Sequence, residues 1–247
     1  SPRIRPTIGC RHFHAGDFQQ AAEAGIAAGG AGVNAAVKAQ TVYASHLEKS
    51  DKAKLLLLEE AAALADERRR AASKDANAHY LYAFALGRYS QGISVGKALA
   101  QGFGGKIKDA LLTALKLEPK HAEAHTAYGS YQAEVIDKVG GLVGGMTYGA
   151  KKDSAVEHYE KAMKLYPESP ITRIEYANGL LMLFGKGRIA EATKLYEQAA
   201  AANDGASFQA RFSTWASEPV KPSDRRNEMS GRSCGGRTPC AKPRSAR

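Results

Sequence analysis

One spacing occurs three times in the middle of this chain, each time closing an apolar stretch of helical periodicity. The copies read Ile107-x3-Leu111-x2-Ala114-x4-Pro119, Ala155-x3-Tyr159-x2-Ala162-x4-Pro167 and Ala192-x3-Tyr196-x2-Ala199-x4-Asp204. Offsets of four and seven residues place these side chains on one helical face, and the proline or aspartate marks where the helix stops. Recurrence of this kind constrains the chain to an all-α repeat architecture, in which each helix pair buries its apolar face on the next. It says little about what such a stack binds.

The chain runs the same programme twice, from Asn77 to Pro119 and from Glu123 to Pro167. Ala78-His79 opens one copy and Ala124-His125 the other, 46 residues apart, while the closing prolines are 48 apart. A first helix in each (76–89 and 122–135) carries Tyr82, Ala83 and Leu86, or Tyr128, Gly129 and Tyr131, at helical spacing. A glycine-rich segment follows, then the second helix. The third copy, Ile171 to Ala202, has Tyr176, Ala177 and Leu180 in its first helix and only a short Gly185–Arg188 turn. Upstream, 51–72 has the pattern of one long helix with Ala61 and Ala65 on its packing face. Gly16-Asp17-Phe18-x2-Ala21 has the pattern of a second helix without its partner.

Charge is concentrated at the ends. Of the net +10, residues 1–16 supply Arg3, Arg5 and Arg11 with no acid, and residues 218–247 supply eight Lys or Arg against Glu218, Asp224 and Glu228. The body is near neutral, which argues against a phosphate-tracking surface and so against nucleic acid as the partner. Six of the nine prolines and all three cysteines (Cys10, Cys234, Cys240) also fall in these ends. Segments 1–15 and 204–247 are therefore expected to be disordered or foreign to the domain, and the run Ser230 to Cys240 has the look of out-of-frame translation. The body has no thiol for a disulfide or thiolate metal site, as suits a reducing compartment. The most apolar early stretch, Ala24 to Val37, is too short to span a bilayer and lacks a signal-peptide profile. A cytoplasmic location is favoured, with the periplasm as the alternative if a signal lies upstream of residue 1.

These features resemble the tetratricopeptide repeat (TPR) superfamily over residues 16–203, with repeats at 76–119, 122–167 and 170–203 and partial N-terminal repeats over 16–72. The resemblance implies antiparallel helix pairs stacked as a right-handed solenoid. Gly129, Ala83 and Ala177 would admit close helix approach, with Tyr159, Leu111 and Tyr196 filling the gap to the next pair. The two middle copies depart from the usual length by inserts of about 12 to 14 residues. That layout, with Leu86-Gly-Arg88 and Glu134-Val-Ile-Asp-Lys138 leading into the inserts, is similar to bacterial relatives of the regulator of microtubule dynamics proteins.

The motifs that suggest chemistry fail on context. In His121-Ala-Glu-Ala-His125 the histidines share a face, but a hydrolytic zinc helix needs its glutamate where Ala122 stands, and no third ligand is signalled. His79 holds the place equivalent to His125, which points to packing. Gly30-Ala-Gly32-Val-Asn-Ala35 lacks the strand of a dinucleotide fold, and Gly144-x4-Gly149-Ala-Lys151 misplaces the lysine of a phosphate loop. Asp153 is expected to cap the helix that follows. Glu134 and Asp137, three apart, are a candidate cation or basic-peptide site set against an ordinary solvated face. No catalytic constellation emerges, and neither a cofactor nor a metal is expected.

A TPR-type solenoid lines its concave side with first helices. With Tyr82, Tyr128 and Tyr176 on the packing face, the groove positions are Tyr80, Phe84 and Arg88, then Thr126, Ser130 and Glu134, then Ile174, Asn178 and Leu181. Tyr80 and Phe84 are assigned aromatic anchoring, Arg88 carboxylate pairing and Asn178 backbone hydrogen bonding. Tyr80, Thr126 and Ile174 replace the lysine of the chaperone carboxylate clamp, which excludes that role. The chain is thus expected to be a non-catalytic protein or peptide binding scaffold. Its alternative is a small-ligand component, periplasmic and transporter-associated, whose inserts close the groove into a pocket. The inserts themselves are expected either to fold against the groove, with Leu142 and Tyr148 substantially buried, or to pad the repeat interface. A surface binder of nucleic acid or microtubules would depend on the basic ends.

Overall fold

The computed structural model describes residues 11–201, which form helices and turns without a strand. They fall into two compact units, residues 11–92 and 93–201. The boundary lies inside the repeat expected over 76–119, whose two helices therefore belong to different units. Of the segment 1–15 expected to be disordered, residues 11–15 are helical, and the Phe13 ring meets Phe18 edge-on at 5.3 Å. Residues 1–10 and the tail 204–247 lie outside the described residues.

The N-terminal unit packs α1 (Phe18–Ala28), α2 (Gly32–His46), α3 (Asp51–Ala71) and α4 (Ala76–Gln91) in sequence. The α1–α2 turn uses Gly29 and Gly30 at φ of 62° and 52°, a region that side chains disfavour. Just before it, α1 and α2 touch backbone to backbone, since a Cβ on Gly25 would lie 2.6 Å from the Gly32 carbonyl oxygen. Ala61 and Ala65 are buried along α3 as expected. Asp75 gathers three helices at one carboxylate. Its Oδ1 caps α4 by accepting from the Asn77 and Ala78 N–H groups at 3.1 and 3.2 Å, and its Oδ2 accepts from Asn34 on α2 at 2.9 Å and Arg68 on α3 at 3.0 Å. A cap of this type contributes about 1 kcal/mol, and the charge-assisted bond to arginine adds to it.

The C-terminal unit comprises α5 (Val95–Ala100), α6 (Phe103–Leu117), α7 (Ala122–Val139), α8 (Lys152–Leu165), α9 (Pro170–Phe184) and α10 (Ile189–Ala201). Helices α7 and α8 form one antiparallel pair and α9 and α10 the next, with α7 also against α9. Helix α7 starts at His121, whose Nδ1 accepts the Ala124 N–H at 3.1 Å. Helix α9 starts at Ser169, whose Oγ accepts the Thr172 N–H at 3.1 Å, with Pro170 in the first turn. Helix α8 begins earlier than expected. Lys151, not Asp153, occupies its N-cap, because the Lys151 N–H is held at 3.2 Å by Gln132 Oε1 from α7. Asp153 falls in the first turn, where its charge favours the positive end of the helix.

Tyr159 on α8 is fully buried between two glycines. A Cβ on Gly129 of α7 would stand 3.0 Å from three of its ring atoms, and one on Gly179 of α9 would stand 2.6 Å from its Oη and Cε2. The ring stacks on Tyr176 of α9, centroids 5.0 Å apart and planes at 17°. Its hydroxyl donates to Ser130 Oγ at 3.0 Å, and Ser130 donates to Glu175 Oε2 at 3.1 Å. Tyr159 thus fills a gap between helices as expected, and the space left by Gly129 is taken by its ring, with Gly179 as a second wall.

The inserts fold differently from each other. The first contains the short helix α5, capped by Ser94 Oγ on the Lys97 N–H at 3.3 Å. In the second, Gly140 at φ 82° leads into a helical turn, Gly141–Val143, and a π-helical turn, Gly144–Tyr148, which Gly149 ends at φ 68°. Gly144 lies on Val135 and Gly104 on the Tyr148 ring, so the backbone sits close to α7 and α6. Tyr148 is half-buried, but Leu142 is 77% exposed and Met146 82% exposed, which corrects the expected burial of Leu142. The glycines bring the backbone down, and the apolar side chains between them turn outward. Among the described residues no helix is long and apolar enough to cross a membrane.

Replacing Gly179 by Ala should destabilise the protein by about 1–3 kcal/mol through overpacking against Tyr159, despite the helix-propensity gain. Gly87→Ala, where an added Cβ meets nothing within 4 Å, should instead stabilise by about 0.4–1 kcal/mol. Urea midpoints of the two variants check this, and a Gly179→Ala protein as stable as Gly87→Ala would contradict the glycine socket.

Candidate functional site

The histidines of the zinc-like motif are engaged in holding helix starts. His121 Nδ1 serves as the cap of α7, and His125 Nε2–H donates to the Pro119 carbonyl at 3.0 Å. His79 makes the same contact in the N-terminal unit, its Nε2 lying 2.9 Å from the Ser73 carbonyl six residues before it. The equivalence expected of His79 and His125 is thus one hydrogen bond made twice. With Nε2–H committed, neutral His125 has only a lone pair at Nδ1, so the His158 Nδ1–H of α8 donates to it across 2.8 Å. Tyr128 presents its ring edge-on to His158 at 4.7 Å. Burial, with His125 and Lys161 acting the same way, brings His158 down to about 4, and burial lowers His125 as well. Among the described residues no group of three or more His, Cys, Asp or Glu is arranged to hold a metal.

The groove positions separate into open and closed ones. In the N-terminal unit Tyr80 is only 6% exposed and stacks on Phe84 at 6.0 Å, so its ring is core and not a surface anchor. Phe84 and Arg88 are half-buried, with the Arg88 guanidinium 5.6 Å over the Phe84 ring and its Nη1 donating to Gln91 at 3.2 Å. In the C-terminal unit Thr126 is buried, bonded to the Ala122 carbonyl at 3.2 Å and to Thr172 of α9 at 3.1 Å. Tyr80 is covered by Phe84 one turn further along its own helix, whereas Thr126 is tied to Thr172 on the neighbouring α9. Ser130, Glu134, Asn178 and Leu181 are half-buried and Ile174 is exposed. Asn178 Oδ1 already accepts the Tyr196 hydroxyl at 2.5 Å, so the bond to a peptide backbone assigned to it falls to its amide NH2.

Three accessible side chains on the same side of α9 as Ile174 were not singled out in the sequence: Ile171, Glu175 and Met182. They follow one another at offsets of four and seven residues and flank Ile174, so extending the helical period along α9 is the signal that finds them. Ile171 is 67%, Ile174 41% and Met182 39% exposed, while the opposite side of α9 buries Tyr176, Ala177, Leu180 and Leu183. The accessible stripe of α7 differs in chemistry, running Glu123, Ala127, Ser130, Glu134, Asp137 and Lys138 at helical period. The Ser130–Glu175 bond joins the two stripes. Elsewhere, a cavity of about 210 Å³ in the N-terminal unit is lined by Gly30, Val33, Leu64, Glu67, Arg68 and Ala71, and no insert residue contributes to it.

Helix pairs joined through a glycine-seated tyrosine, with first helices that leave one stripe open, define a helical-repeat protein of the TPR type. The chain belongs to the regulator of microtubule dynamics protein 1-3 family, whose sequence pattern matches residues 33–207. The fold is also that of TTC0263, a thermophilic TPR protein of Thermus thermophilus, with a TM-score of 0.62 at 16% identity over 87% of this chain and 98% of that one. Two structures of MamA align with lower TM-scores of 0.41, at 19% and 20% identity, over 90% and 81% of this chain and 98% and 96% of theirs. No curated protein matches the chain significantly.

The histidine pair has a measurable consequence. His158 is depressed in the fold from an ordinary value of 6.5, so the unfolded chain takes up the proton first as pH falls. Stability should therefore decline from about pH 6.5 and level off near pH 4, and His158→Gln should flatten this dependence. Urea midpoints at stepped pH check it, and an unchanged slope in the variant would show that the pair does not titrate in this way.

Proposed function

We propose that the open face formed by α7 and α9 docks a protein or peptide, and that the chain works as a non-catalytic interaction scaffold. The observation that supports this most is the α9 stripe, where Ile171, Ile174 and Met182 stay in solvent on a helix otherwise used for packing. Isolated exposed aliphatics are ordinary, but three on one stripe beside a polar stripe form a surface suited to anchoring side chains of a partner. Phe84 and Arg88 offer an aromatic and cationic counterpart within the N-terminal unit. The family is named for the regulation of microtubule dynamics, an activity exerted on a protein polymer, and a polypeptide partner is in keeping with that name. The pocket reading loses its support, because Leu142, Val143 and Met146 of the second insert are exposed instead of lining an enclosure.

Selection of peptides from a random displayed library on the immobilised full chain tests the proposal. Recovered peptides, titrated calorimetrically, should bind Ile174→Ser about tenfold more weakly than the wild type, the loss expected when an aliphatic contact is removed. Phe84→Ala and Arg88→Ala would report on the N-terminal unit in the same assay. Binders indifferent to all three substitutions would remove both surfaces from consideration.

A further inference from the structure

We infer that the second insert and the lysines around it dock on the anionic surface of a lipid bilayer, with the aliphatic tip of the insert entering at headgroup level. This is independent of the docking role proposed above. The tip is Leu142, Val143 and Met146, which are 77%, 51% and 82% exposed. Leu142 and Met146 stand four residues apart in helical backbone and so point the same way. The turn that carries them is seated on the helices below: a Cβ on Gly104 of α6 would come within 2.7 Å of the Tyr148 ring, and one on Gly144 within 3.1 Å of Val135 on α7. Between residues 140 and 146 every other position is glycine, so the tip shows nothing but aliphatic side chains. Its backbone is also suited to leaving water. The Gly144 N–H donates to the Gly140 carbonyl at 2.9 Å, Gly149 to Gly145 at 3.0 Å and Ala150 to Gly144 at 3.1 Å. Peptide groups paired within their own turn meet the condition for entering an apolar layer at low cost.

Positive charge surrounds the tip. Lys108 of α6 reaches Gly149, where an added Cβ would lie 3.5 Å from its Nζ. Lys152, at the start of α8, donates to the Leu183 carbonyl near the end of α9, and Lys152 and Arg188 lie over the Phe184 ring at 5.1 and 5.2 Å. These contacts gather the starts of α6 and α8, the insert and the α9–α10 turn at one end of the C-terminal unit. Segments 93–109, 137–153 and 185–191, which make up that end, hold eight Lys or Arg against Asp109, Asp137, Asp153 and Glu191. Two of the four acids are already paired, Asp137 with Lys138 at 2.8 Å and Glu191 with Arg188 at 2.6 Å. Lys106, Lys151 and Lys186 are exposed, and their long stems let the ammonium groups meet phosphate while the aliphatic side chains sink beside them. An excess of cations around a projecting aliphatic tip is complementary to anionic headgroups lying over acyl chains. Nucleic acid would use the lysines and leave the tip in water.

The test is flotation of the full chain with vesicles of phosphatidylcholine and phosphatidylserine at about two to one, and with vesicles of phosphatidylcholine alone. The mixed vesicles should bind the chain about tenfold more tightly than the neutral ones, and the binding should weaken as salt is added. The pair Leu142→Ser and Met146→Ser should lower the affinity by about tenfold, and the pair Lys106→Gln and Lys151→Gln by about the same factor, with helicity unchanged by circular dichroism. In a chain whose three cysteines are replaced by serine, a nitrobenzoxadiazole label on Met146→Cys should brighten and shift to the blue on mixed vesicles. Binding left unchanged by the aliphatic pair would assign it to charge alone, the basic ends of the chain included, and overturn the inference. An unshifted label, or no binding to mixed vesicles, would overturn it too. Tighter binding of a single-stranded oligonucleotide, sensitive to the lysine pair and indifferent to the aliphatic pair, would make nucleic acid the partner instead. Self-association in sedimentation that the aliphatic pair abolishes would make a second copy the occupant and overturn the lipid surface.

Discussion

The C-terminal unit depends on one tyrosine held between two glycines. Tyr159 projects from α8 into a gap that exists only because Gly129 on α7 and Gly179 on α9 lack side chains. Two helices that would otherwise keep alanine-sized spacing are set by the thickness of an aromatic ring, and the ring stacks on Tyr176 to fill the space. Its hydroxyl is the first member of a chain that runs through Ser130 to Glu175, so the contact that spaces the helices also links the two stripes of the open face. Burial raises the phenol well above its ordinary range, which keeps the O–H a donor at any physiological pH.

Around this core, helix starts are held by side chains that reach back to the preceding turn. Asp75 and His121 cap α4 and α7, and His79 and His125, each four residues after the cap, bond to the carbonyl six residues before them. At α9 the same place is taken by Arg173, which bonds to the Ser169 carbonyl. The device serves the fold in each case, and it gives a pair of histidines at metal-like spacing a structural role at the helix start. One histidine nitrogen stays available for a cross-helix partner, and in α7 that partner is His158.

Much of this was legible in the sequence because helical period reveals direction. The x3, x2 and x4 spacing located three packing faces, and Ala61, Ala65, Gly129 and Tyr159 lie where periodicity puts them. Depth was not legible. Tyr80 and Thr126 sit one step from the packing face, and whether such a position is open depends on the side chains that come to lie over it, here Phe84 stacking on the one and Thr172, from a helix distant in sequence, bonding the other. The second insert misled for a related reason. Its glycines signal close backbone approach, which occurs at Gly144, but the same approach forces Leu142 and Met146 outward. Asp153 lost its cap because Gln132, on another helix, holds the Lys151 N–H. The break between residues 92 and 93 has no local signature, since it reflects where long-range packing thins.

A double-mutant cycle on stability between Gly179→Ala and Tyr159→Leu addresses the central claim most directly. If the glycine exists to seat the tyrosine ring, the alanine should be costly in the wild-type background and nearly free of cost once the ring has been replaced by leucine, with a coupling energy of about 1–3 kcal/mol. Additive effects, with no coupling beyond about 0.5 kcal/mol, would show that Tyr159 does not set the spacing of α7 and α9.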